Sequence, residues 1–190
     1  MSPRTSGLRE ALILAGIHEI NANGVASFSI RRVAEACGVS CAAPYRHFES
    51  KRDFIAAIID FVNDQWAERQ EELLAQTENS LRKQIVAICV GYVRFLMDTP
   101  TYRSILMLKD EEFDNLYHKK RTQFGSLTQT LNAQLYKATG FTPEGWARKL
   151  MTVRSLIFGA VMLFDAGEFE YNETTMEYLR YTIDREFDID

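Results

Sequence analysis

Apolar residues recur mainly at three- and four-residue intervals along this chain, and only four prolines and ten glycines interrupt them, which points to an all-α protein. The pattern predicts a first helix from about Ser6 to Asn21, with Leu8, Leu12, Ala15, Gly16 and Ile20 inward and Ile13 and Ile17 widening the apolar stripe. The sequence NANG ends it, Gly24 supplying a left-handed turn residue. Ser29 then stands where an N-cap is expected, ahead of Ile30, Val33, Ala34 and Cys37 at helical spacing. Gly38-Val39-Ser40 reads as a tight turn, with Ser40 placed to cap a third short helix over about 41–48. Ser50 with Asp53 resembles a capping box. It opens a long helix that turns Phe54, Ile55, Ile58, Ile59, Val62 and Trp66 toward the core.

The polar stretch AQTENS at 75–80 marks a boundary. Beyond it, helices are expected near 80–97, 101–108, 110–138, 143–166 and 173–187, punctuated by Pro100, Asp110, Gly140 and Gly167. Thr142-Pro143 supplies a cap followed by proline at the first helical position. The expected organisation is a three-helix head over 1–50, a connecting helix over 51–78 and a helical C-terminal domain over 79–190.

Composition adds a core and a polarity of charge. Hydrophobic residues at 46% and charged residues at 25% suit a globular protein with ample apolar material. The net charge of −4 gives no global attraction for nucleic acid. Residues 1–53 nevertheless carry seven basic against five acidic side chains, while the remainder carries fifteen against twenty-one. A basic contact surface would therefore be confined to one end. The longest apolar run, LIFGAVMLF at 156–164, is well short of the ~18 residues a membrane span needs and reads as a buried helix. The opening MSPRTSGLRE has no apolar run of a secretory signal, and Cys37, Cys41 and Cys89 follow no ligand framework. Reduced thiols in a cytoplasmic protein are the expectation.

The stretch GVSCAAPYRHFESK, 38–51, carries the chemistry. Two short helices joined by a Gly-containing turn form a helix-turn-helix, whose second helix enters the DNA major groove. Ala42 and Ala43 allow close backbone approach to base edges. Tyr45 offers a hydroxyl and His47 an imidazole N–H to phosphate, and Arg46 offers a bidentate fork to phosphate or guanine. Ser29, Arg31 and Arg32 on the preceding helix, Ser40 in the turn and Lys51 on the following helix would flank these. Pro44 is tolerated in the first helical turn. On periodicity alone, the same segment could be the corner of a helical bundle with its Tyr and His satisfied locally. Cys41 begins a helix, so it is either a base-facing small residue or a modifiable thiol. His18-Glu19 lacks a catalytic partner and is placed on the surface of the first helix, and the basic run HKKR at 118–121 reads as a solvated face. Nothing resembles a phosphate loop, a zinc-protease helix or an activated nucleophile, so no catalytic residue, metal or cofactor is expected.

Residues 11–59, ALILAGIHEINANGVASFSIRRVAEACGVSCAAPYRHFESKRDFIAAII, resemble the DNA-binding region of the tetracycline-repressor (TetR) family of bacterial transcription regulators. The Gly24 turn, Ser29-Ile30, VAEACGVS and YRHFESK all fall in register. The resemblance implies phosphate contacts from Tyr45, His47, Lys51 and the Ser29 cap, with bases read from Cys41, Ala42, Ala43 and Arg46. Ala42 departs from a frequent glycine, and Pro44 from a frequent leucine or phenylalanine.

The C-terminal half is rich in Phe, Tyr, Met and Leu. Tyr92, Phe95, Leu96, Met97, Phe113, Tyr117, Phe124, Met151 and Phe158 could wall a cavity, with Arg94, Gln123 or Arg154 as polar anchor, or simply pack a core. The resemblance implies an inducer or corepressor site there. Ser155, Gly159 and Met162 form one helix face suited to dimerisation, and Met176, Leu179, Ile183 and Phe187 another. The function expected is a homodimeric repressor. A small-molecule effector would shift the helix at 51–70 and so change the separation of the two reading heads on a palindromic, double-stranded operator. Two rivals are a DNA-binding regulator whose C-terminal half is structural or protein-docking, and an all-helical enzyme, for which no catalytic cluster can be placed.

Overall fold

The computed structural model describes residues 3–106 and 125–188, and among these every regular element is helical. The helices are α1 (Pro3–Asn23), α2 (Ile30–Ala36), α3 (Lys51–Gln76), α4 (Leu81–Asp98), α5 (Pro100–Leu106), α6 (Gly125–Thr139), α7 (Pro143–Asp165) and α8 (Glu173–Glu186). Phe113, Tyr117, Phe124, Gln123 and the HKKR run lie outside the described residues, as does most of the helix expected over 110–138.

The chain forms two compact units. The first takes the described residues through Gln65 together with Pro100–Leu106; the second takes Trp66–Thr99 and the described residues from Gly125 onward. Helix α3 therefore belongs to both.

In the first unit, α1 buries Leu12, Ile13, Ile17 and Ile20, and α3 buries Phe54, Ile55, Ile58 and Ile59. Leu8 and Ala15, at the stripe's edge, are half-buried. Gly16 lets the two helices approach: a Cβ there would lie 2.7 Å from Ile58 Cδ1 and 3.3 Å from Phe54 Cε2. Gly24 ends the helix at φ +75°, its N–H returning to Ile20 O at 2.8 Å, the left-handed cap that only glycine adopts without strain. Helix α5 joins this unit through α1. Asn21 Nδ2 donates to Thr101 O at 3.2 Å, Ser104 Oγ bonds Asn21 Oδ1, and Tyr102 meets Phe61 edge-on at 6.3 Å.

In the second unit, α4 is the central helix and packs against α6, α7 and α8. It buries Ile85, Ile88, Cys89, Tyr92, Val93 and Leu96. Trp66 of α3 stacks obliquely on Tyr92 and Phe95 at 4.9 and 5.3 Å. Thr142 caps α7 by accepting the Gly145 N–H at 3.1 Å, and Asn172 with Thr175 forms a capping box at the start of α8.

Candidate nucleic-acid interface

The segment expected as a third helix is shorter and tighter than its sequence suggests. Residues 41–43 form turns, and only Pro44–Arg46 is helical, as one 3₁₀ turn. Ser40 does not cap it with its hydroxyl; its carbonyl instead accepts the Ala43 N–H at 2.9 Å. The cause is anchoring. Pro44 and Phe48 are both buried, and Pro44 O accepts the N–H of His47 at 2.9 Å and of Phe48 at 3.0 Å. Phe48 stacks on Phe54 at 3.9 Å and 7°, while Phe28 meets Phe54 edge-on at 5.4 Å. With the chain pinned at 44 and 48, Tyr45 and Arg46 between them point outward, Tyr45 with 59% of its surface exposed. Cys41 and Ala42 are exposed, Ala43 and His47 half-buried.

Flanking groups are fixed in different degrees. Ser29 N-caps α2, its Oγ accepting the Arg32 N–H at 3.3 Å. Arg31 stands out from α2 with 78% of its side chain exposed and, among the described residues, bonds along its own helix to Glu35 at 2.8 Å. Arg32, expected as a backbone contact, is half-exposed and bonded within the head: its Nε donates to Glu19 Oε1 at 2.8 Å and its Nη2 to Ser27 O at 2.5 Å. Lys51 reaches across from the first turn of α3 and donates from Nζ to Ala26 O at 3.0 Å. Asp53 completes the expected cap in altered form, accepting from Glu49 N at 2.9 Å while Ser50 Oγ accepts from Asp53 N at 3.1 Å.

Glu19, placed with His18 on the surface of the first helix, is instead largely covered. Only 9% of its side chain is exposed, and its carboxyl is held below the usual range chiefly by the Arg32 hydrogen bond. Its place at the edge of the apolar stripe, one residue before Ile20, was the available signal. Cys37, expected inward, is half-buried with Sγ 3.6 Å from Ala11 O, and burial raises its pKa.

The second unit separates the expected cavity residues. Tyr92 and Leu96 are wholly buried in the core, and Phe95 is half-buried beside Trp66. Met151, Arg154 and Phe158 line an open surface depression of about 570 Å³ along α7, with Met151 72% exposed. Burial raises the Tyr92 pKa and the Arg154 charge opposes the shift, so these two residues still sense each other. Arg94, a candidate anchor, bonds Glu173 at the start of α8 at 2.8 and 2.6 Å.

The proposed dimer faces fare differently. On α7, Ser155 and Met162 are exposed, and a Cβ at Gly159 would meet nothing. On α8 the expected face is corrected: Met176, Leu179, Ile183 and Phe187 are buried in this chain's own core, because α8 turns that side toward α4 and α7. Its outward side carries Tyr178, Tyr181 and Arg185 instead. With Leu163 and Phe169, Tyr178 borders an apolar groove of about 430 Å³ between α7 and α8.

The sequence pattern of the bacterial regulatory proteins of the tetR family matches residues 12–58. The chain is similar to the nucleoid occlusion factor SlmA of Vibrio vulnificus (strain YJ016), with 30% identity over 183 residues and 90% of each chain covered. Its fold is similar to that of a TetR family transcription regulator from Marinobacter aquaeolei VT8, with a TM-score of 0.78, 17% identity and 98% of each chain covered. It is likewise similar to the transcriptional regulator FadR of Bacillus subtilis in complex with stearoyl-CoA, with a TM-score of 0.73 and 13% identity over 94% of this chain and 96% of that one.

Proposed function

This chain belongs to the TetR family of DNA-binding transcriptional regulators, and from that premise we propose that it is a homodimeric, effector-responsive repressor acting on a palindromic operator. The observation that carries the reading is the Tyr45-Arg46 pair, exposed between two buried anchors beside an outward Arg31. An exposed turn held rigid from below presents hydrogen-bond donors without an ordering cost at the moment of binding. Tyr45, His47, Arg31 and Lys51 are assigned to phosphates, and Cys41, Ala42, Ala43 and Arg46 to base edges.

A symmetric pair suits this role, since two reading heads ~34–36 Å apart meet successive major grooves. Support for the pair is the apolar surface of the second unit: Met151, Met162, Leu163, Phe169, Tyr178 and Tyr181 are all at least 36% exposed. The effector reading draws on the fatty acyl-CoA held by FadR. In this chain it is assigned to the depression along α7 that Met151, Arg154 and Phe158 line. Binding in that domain releases DNA only insofar as the effector prefers the state with misplaced heads.

A second reading keeps DNA binding and makes the C-terminal half a structural or protein-docking module; the end-to-end similarity to a nucleoid occlusion factor favours it. Thermal shift against a panel of acyl-CoA and metabolite ligands separates the two, since an effector raises the melting temperature by mass action and a docking module answers none of them.

The DNA site is tested by mobility shift on a duplex that the wild-type chain selects from a random pool. Tyr45→Ala and Lys51→Ala weaken binding on every sequence, and Arg46→Ala relaxes preference at one base pair. Unchanged affinity in all three would mean that another surface binds DNA.

A further inference from the structure

We infer that Glu19 is a positioning residue of the DNA-binding head, and that Arg32 is its internal partner rather than a phosphate contact. The loop between α1 and α2 carries the start of α2, from which Arg31 projects. Three ties hold that loop: Ser29 N–H donates to Glu19 Oε1 at 3.3 Å, Arg32 Nη2 donates to Ser27 O at 2.5 Å, and Lys51 Nζ donates to Ala26 O at 3.0 Å. Two of the three run through the Glu19–Arg32 pair. Glu19 Oε1 also takes the Arg32 guanidinium, and Oε2 takes Asn23 Nδ2 at 3.0 Å, so both oxygens are occupied.

The geometry follows from charge. A carboxylate buried to this degree needs a cation and several donors, and it finds them across 13 residues in Arg32. The same pairing holds the Arg32 guanidinium to Glu19 through Nε and to Ser27 O through Nη2 at once, although 49% of its side chain stays exposed. Arg31, the next residue back, pairs along its own helix with the exposed Glu35 and keeps 78% of its side chain exposed. Adjacent arginines thus divide the work, one holding the loop and one facing outward.

The inference rests on DNA binding by this head, and salt dependence separates the two arginine roles. Each lost phosphate contact reduces the slope of log K against log[salt] by about 0.9 on B-DNA. The probe is the duplex selected by the wild-type chain from a random pool, and the variants are Arg31→Ala, Arg32→Ala, Glu19→Gln and the double Glu19→Gln/Arg32→Ala.

Arg31→Ala makes the slope shallower. Arg32→Ala and Glu19→Gln weaken binding roughly three- to tenfold with the wild-type slope kept, and the double variant is no weaker than the weaker single. A spectroscopic reading on the free protein is independent of DNA. The Ser29 amide resonance shifts as Glu19 titrates, and in Glu19→Gln it no longer does.

A shallower slope in Arg32→Ala, unchanged or tighter binding by Glu19→Gln, or a Ser29 amide blind to pH in the wild type would each overturn the inference. If Arg31→Ala and Tyr45→Ala also leave binding unchanged, it is the location of the DNA site that fails, and the amide titration still decides the role of Glu19 within the head.

Discussion

Replacing Gly16 by alanine tests how tightly the head is assembled. In an open helix interior this change stabilises by about 0.8–1 kcal/mol, because alanine loses less backbone freedom. Here the new Cβ would sit 2.7 Å from Ile58 Cδ1, 3.3 Å from Phe54 Cε2 and 3.5 Å from Phe54 Cζ. Neither neighbour is free to retreat: both are wholly buried, and the Phe54 ring is stacked at 3.9 Å on Phe48. Overpacking of this kind costs about 1–3 kcal/mol, so the net change is a loss of about 1 kcal/mol. For a chain of this length that lowers the melting temperature by roughly 2–4 °C.

The terminal methyl of Ile58 is the closest atom, which gives the test its sharpness. Ile58→Val alone removes that methyl and costs about 0.5–1.5 kcal/mol through the space it leaves. In the double variant the methyl introduced at position 16 occupies that space, so Gly16→Ala becomes stabilising once Ile58→Val is present. Urea denaturation of the four chains, followed by far-UV circular dichroism, measures the cycle, with an expected coupling of about 1–2 kcal/mol. Additivity within ~0.3 kcal/mol, or a gain of the full propensity difference by Gly16→Ala alone, would refute the close approach of α1 and α3.

Other expectations follow from single sites. A thiol reagent titrates the exposed Cys41 first and Cys37 more slowly, whereas Cys89, whose pKa burial pushes up to about 12, reacts only on unfolding; peptide mapping after timed quenching gives the order. The Arg82 hydrogen bond holds the Asp184 carboxyl below its ordinary 3.8. That contribution to stability is complete above this pH and is lost as pH falls through the lower folded-state pKa. Denaturation midpoints between pH 6 and about pH 2 should therefore fall less steeply in Arg82→Leu, and parallel curves would exclude the pair as a source of acid sensitivity. On the proposed pairing, the wild-type chain sediments as a dimer and Met162→Glu, a charge placed on an exposed apolar stripe, as a monomer in analytical ultracentrifugation; two chains of equal mass would refute that use of the α7 face.

The hydrophobic period alone determined that the described chain is helical, where most helices begin and end, and which residues of α1 and α3 face inward. Such patterns are local: a helix repeats every 3.6 residues, and caps such as Ser29, Gly24 and Thr142 act within one turn. The TetR resemblance over 11–59 was likewise legible, because its signature is contiguous, and the family pattern matches residues 12–58. Partner choice was decided only in three dimensions. Met176, Leu179 and Ile183 form a good apolar face, but periodicity does not say whether a second copy or the chain's own α4 and α7 will cover it. The segment 41–48 has helix-compatible residues, yet burying both Pro44 and Phe48 tightened it into a 3₁₀ turn. The pairing of Arg32 with Glu19, thirteen residues away, could not be read from periodicity either. Burial and ion pairing depend on which surfaces meet, and that is settled when the whole chain minimises exposed apolar area and unpaired charge together.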